Sequence, residues 1–123
     1  MEEKHLKKSG TTDALSDSFK KATSEMMILF LLQERPMYVY ELIQELDRRS
    51  QSEYKVAALY LAMNRLQKFG YISEAEKQIS DQNRVRKYYR ITDSGTMYFE
   101  QLKEQYQKMT RAIEQIFSFR ETD

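Results

Sequence analysis

The stretch NRVRKYYRITDSG (83–95) gathers bases and tyrosines in a chain of 123 residues whose formal net charge is only +1. So small a net charge argues against general coating of nucleic acid, so polyanion binding must come from a local patch. The distribution supplies one. Between positions 77 and 90 the bases Lys77, Arg84, Arg86, Lys87 and Arg90 face the single acid Asp81. Positions 34–53, by contrast, carry Glu34, Glu41, Glu45, Asp47 and Glu53 against Arg35, Arg48 and Arg49. Arg84, Arg86 and Lys87 are therefore candidate phosphate contacts, which supply affinity and salt dependence but no sequence choice. The bland alternative is a solvated hairpin edge whose charge discourages strand-to-strand association.

A second constellation lies in VAALYLAMNRLQKFG (56–70). Tyr60, Asn64 and Lys68 recur at i, i+4, i+8 and can form one outward ridge, with Asn64 suited to an adenine edge and Tyr60 to a phosphate or a thymine methyl. In the competing reading Tyr60 packs under the hairpin and only Asn64 and Lys68 meet DNA. Arg65 can equally bridge to an acid within the protein. Lys20, Lys21 and Thr23, with Tyr38 and Tyr40, are weaker candidates for backbone contacts, and Tyr40 is also a candidate core residue.

Catalytic chemistry finds no footing. There is no cysteine, a single histidine (His5) in a charged N-terminal segment, no glycine-rich phosphate loop, and the carboxylates fall on exposed helix faces. The expectation is a non-enzyme with no metal site and no cofactor. The apolar run MMILFLL (26–32) is far shorter than the ~20 residues a bilayer crossing needs, and no signal-peptide pattern opens the chain, so a cytoplasmic protein without membrane contact is expected.

The elements that must position these residues follow from periodicity. Residues 1–16 are polar and read as a flexible tail; a helix then starts near Asp17 or Ser18 and ends at Arg35-Pro36, buried centrally because its apolar run has no polar face. A second helix puts Val39, Leu42, Ile43 and Leu46 on one face. The third puts Leu59, Ala62, Met63, Leu66 and Phe69 inward and stops at Gly70. YISEAEKQI and RVRKYYRI then read as a hairpin joined by SDQN, with Tyr89 and Ile91 buried and the bases near its tip. A last helix runs from Asp93 or Ser94 to about Phe119. Its apolar residues Phe99, Leu102, Tyr106, Met109, Ile113 and Ile116 are spaced 3, 4, 3, 4, 3, a heptad seam for a second copy of the chain, unless the helix folds back on its own domain.

Three helices followed by a basic hairpin is the order of a winged helix-turn-helix, a mainly α (α+β) fold. The segments SFKKATSEMMILFLL, MYVYELIQEL, LYLAMNRLQKFGYIS and RVRKYYRITDSG together resemble the PadR-type transcriptional regulators. That resemblance implies a winged-helix domain over 17–92 and a dimerisation helix over 93–119. It also implies a homodimeric repressor on an inverted-repeat operator in double-stranded DNA, often released by a small molecule. Met26, Met27, Met97 and Met109, with several aromatics, are candidates to line an adaptable cavity for a small apolar or aromatic effector, though such residues are more often core. This chain departs from the pattern at Val39, where many members have Gly, and at Ala57-Ala58-Leu59-Tyr60-Leu61, where Gly-Thr-Leu-Tyr-Pro is usual. Lys55, a further candidate DNA contact, stands where a capping Ser, Thr or Asn is expected. The same departures admit another reading: a winged-helix interaction adaptor without sequence-specific DNA binding, its partner surface around Leu61.

Overall fold

The computed structural model describes residues 10–79 and 82–122, apart from the side chain of Gln78. His5, most of the expected tail, and Ser80 and Asp81 of the hairpin turn lie outside the described residues. The element order is α1 (Thr12–Leu32), α2 (Val39–Arg49), α3 (Tyr60–Lys68), β1 (Ile72–Ile79), β2 (Val85–Ile91) and α4 (Asp93–Ser118). The fold is mainly helical, with one small antiparallel sheet of two strands.

Helix α1 starts well before the expected Asp17 or Ser18. The Thr11 hydroxyl accepts from the Ala14 amide at 3.0 Å and Asp13 sits in the positive first turn, so the local chemistry starts a helix there without an apolar face. Its early turns lean on α4, with the Phe19 and Tyr106 rings 6.4 Å apart. Only the second half is central: Ile28, Leu29, Leu31 and Leu32 are buried, whereas Phe30 stays partly exposed beside Phe99. Leu42 and Leu46 of α2, Leu59, Ala62, Met63 and Leu66 in and before α3, Ile72 and Phe99 complete the core.

Two expectations for the third helix are corrected. It begins at Tyr60 rather than near Val56, because residues 55–59 run as a loop with no side-chain cap, so Lys55 does not occupy a cap position. Phe69 is exposed, not core, because the helix ends at Lys68 and the chain reverses at Gly70. There the amides of Gly70 and Tyr71 bond Gln67 O and Leu66 O at 3.0 and 2.9 Å, a Schellman closure, and the φ of +79° suits glycine.

The hairpin pairs Ile72 with Ile91 and Ile79 with Val85 at its ends, and a bulge shifts the register between Glu74 and Lys77. Tyr89 and Ile91 pack on the core as expected. Unexpectedly, Met37 exchanges two backbone hydrogen bonds with Tyr89 (3.1 and 2.9 Å), which ties the segment before α2 to the wing. Thr92 caps α4 by accepting from the Gly95 amide at 3.1 Å.

An ion-pair brace joins α1 to α2. The Arg49 guanidinium donates to both Glu34 oxygens at 2.7 Å and to Glu45 at 2.8 Å, and Arg48 reaches Glu45 at 2.6 Å. Hydrogen bonds from Arg48 and Arg49 hold the Glu45 carboxyl down at about 2, and Arg49 lowers Glu34. A carboxyl depressed in the folded state adds stability above its unfolded value of about 4.3 and loses it as pH falls through the folded one. Thermal melting should therefore be flat down to about pH 5 and decline below it. Arg49→Ala should shallow that acid limb, and equal limbs in the two proteins would remove the brace from the account.

Candidate nucleic-acid interface

The wing bases are not loose side chains. Arg86 lies over the Tyr38 ring, 4.6 Å from its centroid, and Tyr88 meets the same ring edge-on at 5.2 Å. Residues i and i+2 of β2 share a face, so Arg86 and Tyr88 both close on Tyr38 at the start of α2 and fix the wing's tilt. Tyr88 was the missed member, although the alternation already put it on the Arg86 face. Lys87 pairs with Glu74 at 3.2 Å and each holds the other in its charged form, the carboxyl lowered and the ammonium raised. Arg84 is exposed beside the turn, and Lys87 stands across the ladder from Lys77, so like charges concentrate toward the tip.

At the other side of the domain the segment before α3 faces α1 across a cleft of about 460 Å³, with Lys20 and Lys21 on one wall and Lys55, Ala57, Ala58 and Leu61 among the residues of the other. Lys20 donates to Lys55 O at 3.0 Å, while the Lys55 ammonium turns to Asp47 at 3.0 Å and lowers its carboxyl. Lys21 is exposed. Thr23 is withdrawn from candidacy: it is buried, and its hydroxyl hydrogen-bonds Tyr54 OH at 2.5 Å. Burial pushes the Tyr54 phenol up, and as a donor to Lys20 O at 3.1 Å it pins the α2–α3 loop to α1.

On α3 the buried residues Ala62, Met63 and Leu66 define an inner side, and Leu61, Asn64 and Lys68 lie opposite at i, i+3, i+7. Tyr60 does not pack under the wing, since it is 64% exposed. Tyr40, a candidate for the core, is exposed as well, because α2 turns Leu42 and Leu46 inward instead. Arg65 takes the intramolecular option: its Nε donates to Glu25 Oε2 at 2.6 Å, and Tyr98 OH donates to the other oxygen at 3.2 Å. One carboxylate on α1 thus holds α3 and α4. No short sequence spacing links Glu25, Arg65 and Tyr98, so nothing local announces the triad.

The seam on α4 divides. Phe99 is 4% exposed inside its own domain and Leu102 packs against that core, so neither is open to a partner. Tyr106, Met109, Ile113 and Ile116 run beyond the core at 39% to 72% exposure. Among the described residues, no helix is long and apolar enough to cross a membrane.

Residues 28–101 match the model of the transcriptional regulator PadR-like family. An uncharacterized protein of Lysinibacillus sphaericus is 33% identical over 92 residues, 73% of this chain and 84% of its own. The fold is similar to that of a transcriptional regulator from Clostridium thermocellum, with TM-score 0.72 and 29% identity over 80% of this chain and 96% of that one. A PadR-like transcriptional regulator from Bacillus cereus aligns with TM-score 0.68 and 25% identity over 84% and 99% of the two chains. A PadR family regulator from Eggerthella lenta, at 24% identity over 89% and 94% of the two chains, shares the fold with TM-score 0.76.

Proposed function

The chain belongs to the PadR-like family and is a transcriptional regulator, not an enzyme, and from that premise we propose that it works as a cytoplasmic homodimeric repressor. It binds an inverted-repeat operator in double-stranded DNA, with the α3 helices of the two subunits in successive major grooves and the wings on phosphates. Lys20, Lys21, Lys55, Arg84, Arg86 and Lys87 grip the backbone with help from Tyr38, while Tyr60, Asn64 and Lys68 face the groove. The observation that carries this reading is the outward face of α3: Asn64 and Lys68 stand exposed on a helix whose opposite side is core. The exposed Tyr106, Met109, Ile113 and Ile116 form the dimer seam, and a small apolar or aromatic effector lodged against it releases the DNA.

The test is a titration against the DNA upstream of the protein's own coding sequence and a scrambled duplex at about 150 mM salt. A preference of roughly a thousandfold is expected. Arg86→Ala with Lys87→Ala should weaken both duplexes alike and reduce the slope of log affinity against log salt by about 2. A loss confined to the operator would contradict a phosphate role for the wing. The 72% exposure of Leu61 favours a second reading, a protein-interaction adaptor, which gains if no duplex from a genome-fragment pool is preferred.

A further inference from the structure

The surface that α3 and the loop before it turn outward is poor in hydrogen-bonding groups. Arg65 is committed to Glu25, and Ala57, Ala58 and Leu61 are all exposed. Leu59, 3% exposed, anchors the loop in the core, so the two alanines and Leu61 are held on the rim of the cleft whose far wall carries Lys20 and Lys21. These residues sit where a recognition helix first meets base edges, at its N-terminal turn. An apolar side chain there has one complement in the major groove, the C5-methyl of thymine, because every other edge group is a hydrogen-bond donor or acceptor. The flanking lysines favour a polyanion over an apolar protein segment as the occupant of this face.

Resting on the DNA-binding reading above, we infer that this chain selects its half-site by touching thymine methyls with Leu61, backed by Ala57 and Ala58, while Asn64 pairs with an adjacent adenine. Leu61 is then a specificity-determining residue, and the half-site carries A·T pairs opposite the start of α3. The Ala-Ala-Leu-Tyr-Leu sequence makes a methyl-reading edge there.

The experiment starts from a duplex that the full-length protein selects out of a random pool. Each thymine in a half-site is replaced in turn by deoxyuridine, which removes the methyl and leaves every hydrogen-bonding group in place. At one or two positions the affinity should fall about fourfold, the worth of one apolar carbon withdrawn from water. Leu61→Ala, whose side chain lies outside the core, should keep its melting temperature and bind the thymine and uracil duplexes equally at those positions. A selected duplex indifferent to every uracil replacement overturns the inference and leaves DNA binding standing. So does a Leu61→Ala protein that remains methyl-sensitive at the same positions. Failure to select any duplex overturns the DNA-binding reading itself, and the inference with it.

Discussion

Met109→Glu combined with Ile113→Glu should convert the protein from dimer to monomer in sedimentation velocity, and should lower operator affinity by about a hundredfold or more while leaving the domain folded. Both residues are about half exposed on the part of α4 that outruns the core, so the domain loses no internal contact. In a dimer they would meet their counterparts across the seam, where four carboxylates would have to be desolvated together. The DNA effect follows from linkage of half-sites. Two tethered reading heads gain about 10² to 10⁴ over one through effective concentration, and a monomer forfeits that gain. Half-site binding at low salt should survive, which separates lost pairing from lost folding. A variant that stays dimeric, or one that binds the full operator as a monomer with native affinity, would take the seam out of the interface.

The same helix shows what the sequence could and could not tell. Its heptad spacing was legible, and so was the expectation that so long a helix needs a second surface. What spacing cannot reveal is where the domain's own core stops, because Phe99 and Ile113 have the same period and differ only in whether α1 lies opposite. Phe30, whose ring centroid is 6.0 Å from that of Phe99, settles the matter through a contact between residues far apart in the chain. The three helices and the hairpin were readable because each buries one periodic face. The start of α1 was not, since its first turns rest on a Thr11 cap and carry no apolar stripe. Phe69 was misjudged because periodicity places it on the inner face, whereas the Schellman closure at Gly70 ends the helix one residue earlier.

For the candidate site, the charge on the wing was visible in composition alone, but its restraint by Tyr38 and Glu74 was not. Arg65 is the instructive residue. A sequence reading left it between a phosphate and an internal acid, and α1 resolves it by presenting Glu25 at hydrogen-bond distance. That pairing leaves Asn64 and Lys68 as the polar residues at the centre of α3's outward face. The apolar character of the remainder becomes meaningful only once the arginine is accounted for.

Gly95→Ala should be the most damaging single methyl in the domain, with a loss of about 3 kcal/mol and a fall in melting temperature of at least about 10 °C. The reason is not conformational freedom, since Gly95 lies within the first turn of α4. A β-carbon there would overlap the backbone carbonyl oxygen of Tyr71 and come within 2.8 Å of Ile91 Cγ1. The carbonyl has little room to yield: it accepts the Thr92 amide at 3.1 Å, and the amide of the same residue closes the end of α3. The added methyl must therefore push the start of α4 off the junction of α3 and the wing, which also displaces Tyr98 from its stack on Tyr71 (centroids 4.2 Å apart) and from Glu25. Gly70→Ala makes the contrast. Its β-carbon would meet nothing within 4 Å, and only the φ of +79° penalises it, at about 1 to 2 kcal/mol. Melting curves of the two variants should therefore rank Gly95→Ala well below Gly70→Ala. The reverse order would mean that the junction of α3, the wing and α4 is looser than its contacts imply and that the strained turn at Gly70 is what holds it.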